Sequence, residues 1–84
     1  MDHKKAIIIL RLHKQNKCMD LEIPLDITAN ELFHAINEGY KLGENEAQPE
    51  NCYLQAENPI ALLKGNRTLE EFGVRNATII HYTR

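Results

Sequence analysis

Serine is absent from all 84 residues, and the two cysteines, Cys18 and Cys52, have no base beside them that the sequence can orient. Nucleophilic catalysis of the serine or cysteine kind therefore lacks its parts. The chain also lacks a long apolar run: the stretch from Ala6 to Leu10 stops at Arg11, far short of a membrane span. No secretory leader is expected. There is no basic block; the formal charge is -2, and the one cationic cluster, His3, Lys4 and Lys5, reads as a solvated start, so nucleic acid is not an expected partner. The four histidines, His3, His13, His34 and His81, fall on separate elements without ligand spacing, so neither a metal nor a cofactor is expected. Gly65 and Gly73 suit turns rather than a phosphate loop. A chain of this length carries one thin core, which leaves no room for a deep substrate cleft and predicts a single domain over 1–84.

What is present is periodic. Ala6, Ile8, Leu10 and Leu12 alternate with Ile7, Ile9, Arg11 and His13, and Met19, Leu21, Ile23 and Leu25 alternate with Cys18, Asp20, Glu22 and Pro24. With Asn16-Lys17 between them these read as a hairpin, and Pro24 suits the end of an edge strand. A helix follows. Thr28 and Glu31 have capping-box spacing, Ile27 and Leu32 staple spacing, Leu32, Phe33, Ile36 and Tyr40 share one stripe, and Gly43 stands where a stop is expected. GENEAQPEN, from Gly43 to Asn51, reads as a solvated connecting loop whose acidity offers an alternative recognition feature. Cys52, Leu54 and Ala56 predict a third strand, Ile60 to Leu63 a short fourth, and Thr78 to Thr83 a fifth. Between the last two, Thr68, Glu71 and Gly73 predict a one-turn helix with its own cap and stop. Capping also accounts for Glu71 beside Glu70, leaving no carboxylate pair for acid–base work.

The order ββαββ, the capped helix after a proline-bearing edge, and GNRTLEEFGVRNATIIHY together resemble ubiquitin-like proteins. Within them the chain is most similar to the YukD/EsaB group that accompanies the type VII (WXG100) secretion systems of Gram-positive bacteria, through the spacing of Gly65, Leu69, Gly73, Val74 and Asn76. The resemblance implies an α+β ubiquitin-like β-grasp: a mixed sheet in the order 2-1-5-3 packed on one helix. It also implies a non-catalytic accessory or regulatory module in the cytoplasm, whose partners are cytoplasmic domains of the secretion machine. Ala77 departs from the group, which commonly has glycine there, so a left-handed backbone at that position comes at a cost. Ubiquitin and its sulfur-carrier relatives act through a Gly-Gly tail, whereas Tyr82-Thr83-Arg84 close this sequence; conjugation or thiocarboxylation by that route is not expected. A modifier or sulfur carrier whose tail lies past Arg84 is the alternative. In the 2-1-5-3 order Cys18 and Cys52 stand about three strand spacings apart, beyond disulfide reach, and reduced thiols fit a cytosolic location.

Alternation has a second consequence. If Ala6, Ile8, Leu10 and Leu12 face the helix, Ile7 and Ile9 face the other way; the same parity puts Ile79 and His81 outward when Ile80 and Tyr82 are inward. The first and fifth strands are neighbours in a β-grasp. Ile7, Ile9 and Ile79 are therefore expected to form one apolar spot bordered by Tyr53, Gln55 and His81, a site for a partner or for a second copy of the chain. The alternative is that outward isoleucines reflect strand propensity alone. The expected core is Ile8, Leu10, Leu21, Ile23, Leu32, Ile36, Leu54, Leu63, Leu69, Val74, Ile80 and Tyr82, and the histidines His34 and His81 are expected to be solvated.

Overall fold

In the computed structural model, residues 4–83 are described; His3 and Arg84, singled out above, lie outside them. The alternation in the first strand is realised as β1 (Lys5–Leu12), which buries Ala6, Ile8, Leu10 and Leu12 and exposes Lys5, Ile7 and Arg11. A turn at 13–16, with Asn16 in the left-handed region, leads into β2 (Lys17–Pro24). The two strands pair antiparallel with Ile7 opposite Glu22 and Ile9 opposite Asp20. Asparagine tolerates that backbone better than other side chains that carry a Cβ.

Helix α1 (Ala29–Gly39) starts where its cap predicts: the Glu31 amide donates to Thr28 Oγ1 at 3.1 Å and the Thr28 amide to Glu31 Oε1 at 2.9 Å. It ends earlier than Gly43. Lys41 adopts φ 53 and the Leu42 amide reaches back to the Asn37 carbonyl at 3.1 Å, the closure of a Schellman turn made without glycine. The gain that offsets a left-handed lysine is the packing of Leu42 against the core. A 3-10 turn (Pro49–Asn51) follows, then β3 (Leu54–Glu57), β4 (Ala61–Leu63) and β5 (Ile79–Tyr82), each shorter than its predicted range.

The sheet runs β2-β1-β5-β3-β4, with β1 and β5 parallel at its centre and the other pairs antiparallel. This contains the expected 2-1-5-3 order and adds β4 at the edge. At the opposite edge, the outward Asp20 and Glu22 and the closing Pro24 discourage further strand pairing along β2. The expected one-turn helix near Leu69 is instead a series of turns. The Thr68–Glu71 box forms, with the Glu71 amide on Thr68 Oγ1 at 3.2 Å, but the Leu69 and Glu70 amides donate to the carbonyls of Ile27 and Leu25 at 2.9 and 3.0 Å. Only one helical bond follows, from the Phe72 amide to the Thr68 carbonyl at 3.3 Å, because Gly73 then takes φ 82 and the Val74 amide closes back onto the Leu69 carbonyl at 3.1 Å.

Every expected core residue is buried except Leu21, which is half-buried against the core's rim; Phe33, Leu12, Leu25, Ala29, Cys52 and Ala56 join them. Phe33 meets Tyr82 with ring centroids 6.4 Å apart, so the helix is keyed to the last strand. Both cysteines are free thiols, Cys18 exposed and Cys52 buried.

Candidate protein-docking face

Helix α1 covers one side of the sheet and leaves the other side open, so the outward residues of the strands decide what that face can do. Ile9 and Ile79 stand opposite each other in the parallel pairing of β1 with β5. Both are half-buried, while Ile7 beside them is 53% exposed. Two bonds hold this corner: the Ile7 amide donates to Asn76 Oδ1 at 2.8 Å, and the Ala77 amide donates to the Ile7 carbonyl at 3.0 Å. The three isoleucines singled out from the sequence therefore do come together.

Their border differs in part from the expected one. Glu57 is the residue opposite Ile79, and Gln55 is opposite His81 one step along. Gln55 is exposed and Leu62, its partner on β4, is 51% exposed. Tyr53 is half-buried and precedes β3, outside the paired registers, so it sits beyond the His81 row rather than beside the isoleucines. Gln55, Glu57, Ile60, Leu62 and His81 line a shallow trough of about 400 Å³ continuous with this face, and Ile60 at its rim is 91% exposed. Ile60 and Leu62 were not read as part of the spot. The expected β4 supplied the parity for Leu62, but only the Gln55–Leu62 register places it there.

His81 corrects a second expectation. It is only 9% exposed, and both ring nitrogens are engaged: Nε2 with Glu57 Oε1 at 2.6 Å and Nδ1 with His13 Nε2 at 2.8 Å. An ionised carboxylate accepts only, so Glu57 fixes the His81 proton on Nε2; Nδ1 then accepts, and His13 donates through its own Nε2. Two histidines that looked scattered are thus one hydrogen-bonded chain, because His13 follows β1 directly and Arg11 is opposite His81 in the parallel register.

The loop at 43–51 is tied down more firmly than a solvated connection. Asn37, buried on α1, donates to the Glu44 carbonyl at 3.0 Å and to Glu46 Oε2 at 2.8 Å, and accepts from the Glu44 amide at 3.1 Å. The Tyr82 hydroxyl donates to Glu44 Oε1 at 2.6 Å. The exposed His34 meets Glu46 at 2.8 Å; the hydrogen bond and charge of Glu46 raise the His34 pKa above its ordinary value, while Asn37 first and His34 second lower that of Glu46. Among the described residues, oxygen or nitrogen atoms of His34, Glu38 and Glu46 lie within 4.8 Å of one another, all exposed; the ion pair accounts for His34 with Glu46, and Glu38 stands one helical turn after His34 on α1. Among the described residues no helix is long and apolar enough to cross a membrane.

Structural comparison places the fold among ubiquitin-like domains. The ubiquitin-like domain of tubulin-binding cofactor B superposes with a TM-score of 0.75 at 16% identity, covering 95% of this chain and 89% of that one. The C-terminal ubiquitin-like domain of mouse tubulin-specific chaperone e gives 0.73 at 11% identity, covering 96% and 87%. The ubiquitin-like domain of Plasmodium falciparum Dsk2 gives 0.60 at 16% identity, covering 93% and 97%. Identities this low speak for the fold alone. No curated protein matches the chain by sequence. The family profile described as "WXG100 protein secretion system (Wss), protein YukD" matches residues 7–81, nearly the whole length, from within β1 to within β5. The chain therefore belongs to the YukD family, ubiquitin-like proteins associated with WXG100 secretion.

Proposed function

We propose that this chain acts as a single non-catalytic ubiquitin-like domain in the cytoplasm, an accessory or regulatory component of a WXG100 secretion system that docks a cytoplasmic domain of the machine through its outer sheet face. The observation that carries the reading is the contiguity of Ile7, Ile9 and Ile79, extended through Gln55 and His81 to Leu62. Scattered exposed isoleucines are ordinary on a small protein; an apolar face that crosses the two central strands and opens into a trough at one edge is the form an interaction site takes. YukD-family membership supplies the machine.

The test replaces Ile7 and Ile79 by lysine. Neither side chain lies under α1, so folding should survive, whereas a partner that covers the face would then bury unpaired charge at a cost of roughly several kcal/mol. Secretion activity and co-purification with the machine's cytoplasmic domains should both fall. Glu50→Lys is the control in the acidic loop, since Glu50 is exposed and Glu46 is committed to His34 and Asn37. Wild-type behaviour of a folded double variant would return the isoleucines to strand propensity, and loss in the loop variant would move the site to that loop. A second copy of the chain is the other occupant of the face, which sedimentation of wild type against the double variant reads directly.

A further inference from the structure

A docking face must bury whatever polar groups it contains, and this one contains the chain Glu57, His81, His13. With both imidazoles neutral every polar nitrogen that joins them is satisfied: His13 donates to His81 and His81 donates to Glu57. A first added proton is accommodated without breaking either contact. It enters at the unprotonated Nδ1 of His13, and the proton already between the rings passes from His13 Nε2 to His81 Nδ1, on the ring that faces the Glu57 carboxylate, so that His81 becomes the donor and His13 the acceptor. A second added proton has no such place. Two N–H groups would then face each other across 2.8 Å with no acceptor between them, and the rings must separate.

The surroundings set which ring leaves. His81 is buried, held at Nε2 by Glu57 from β3, and flanked by Arg11 of β1 and by uncharged Gln55. Cys18 and Asp20 of β2 stand one strand farther out, opposite Arg11 and Ile9, and β4 presents only Ala61, Leu62 and Leu63. His13 is exposed in the turn after β1, where Arg11, Lys17 and Cys18 line the same shallow hollow, so it is the ring free to swing away.

We propose that His13, His81 and Glu57 form a proton-limited clamp that regulates the docking face: closed, it lets an apolar partner cover the face with its polar groups satisfied, and uptake of a second proton by the imidazole pair opens it and disfavours docking. The opened state leaves the His81 Nδ1–H without an acceptor beneath the partner and adds positive charge next to Arg11. This rests on the docking reading above, and the partner it concerns is one that meets Ile9, Ile79 and Leu62 with apolar side chains.

Two measurements separate the clamp from the docking. Nitrogen-15 spectra of the imidazole rings in the full chain, followed from about pH 8 to pH 5, the range in which histidines ordinarily titrate, should show His13 passing from the Nε2–H to the Nδ1–H tautomer with the first proton. The methyl signals of Ile9, Ile79 and Leu62 should move with the second. Glu57→Ala should abolish the tautomer change. Rings that titrate independently, with His13 never in the Nδ1–H form, overturn the clamp. In the second measurement, purified cytoplasmic domains of the secretion machine are retained on the immobilised chain at about pH 7.5 and pH 5.5; one buried, unpaired donor predicts roughly tenfold weaker retention at the lower pH. His13→Gln, whose amide pairs with His81 in either protonation state, should show less than about a twofold change. Equal retention of wild type at both pH values, or equal loss in His13→Gln, overturns the regulation and leaves the docking face standing. Wild-type retention by the Ile7→Lys, Ile79→Lys variant removes the docking face and the regulatory role with it, while the ring spectra still decide whether the clamp exists.

Discussion

The Thr78 hydroxyl, fully buried, donates to the Asn58 carbonyl at 2.7 Å and so ties the start of β5 to the turn between β3 and β4. The same oxygen accepts the Arg75 amide at 3.0 Å, which makes one side chain the partner of two backbone groups. Thr78→Val keeps the shape and removes both bonds. It should lower unfolding free energy by about 1–3 kcal/mol, the range for leaving buried polar groups unpaired, read as a lower denaturant midpoint with an unchanged slope.

Ala77 carries φ 71, a conformation that costs a side chain with a Cβ and costs glycine almost nothing. Ala77→Gly should stabilise the protein by roughly 0.5–1 kcal/mol even though it makes the unfolded chain more flexible. Thermal melts of the two proteins decide this; a lower melting temperature for the glycine variant would mean that the strain is relieved elsewhere.

Leu69 and Ile36 are both essentially inaccessible, one in the turn that follows the Thr28–Thr68 bridge and one on the buried face of α1. Replacing either by alanine should cost about 2–5 kcal/mol. An unchanged midpoint in both would mean that the core is packed in a different register.

The ion pair of His34 with Glu46 has a definite pH window. His34 has a raised folded-state pKa, so its contribution is complete below the ordinary histidine value and is lost as pH rises through the raised one. Glu46 has a lowered pKa, so its contribution is present above the ordinary carboxyl value and is lost as pH falls through the lowered one. The difference in melting temperature between wild type and His34→Gln should therefore peak on the acidic side of neutrality and shrink at alkaline pH and again in strong acid. Both groups are solvent-exposed, so added salt should flatten the peak.

What the sequence made legible depended on how local the determining physics was. Alternation has a period of two, so Ile7, Ile9 and Ile79 were placed on the outer face without knowledge of pairing, and Thr28 with Glu31 located the helix start from residues three apart. The helix end was misplaced because Gly43 offered the expected left-handed residue while Lys41 took it, a choice made by the packing of Leu42. His13 and His81 are 68 positions apart, and nothing short of the register of β1 on β5 brings their rings together. Asn37 on the helix was equally hidden, since its burial follows from the loop at 43–51 folding back over it.

The parallel contact of β1 with β5 also governs how the protein comes into being. Ile7 waits for Asn76, 69 positions downstream, and Ile9 for the carbonyl of Thr78. During synthesis the hairpin and α1 emerge first, but the centre of the sheet stays open until β5 clears the ribosome, so the early segments wait with Ile8 and Leu10 only partly covered. Closing so distant a contact carries a loop entropy that local helices do not, which points to folding in milliseconds or longer rather than microseconds. The nascent chain accordingly has an interval in which a chaperone or another copy can capture the unpaired edge of β1, and that interval lengthens wherever translation slows between α1 and β5.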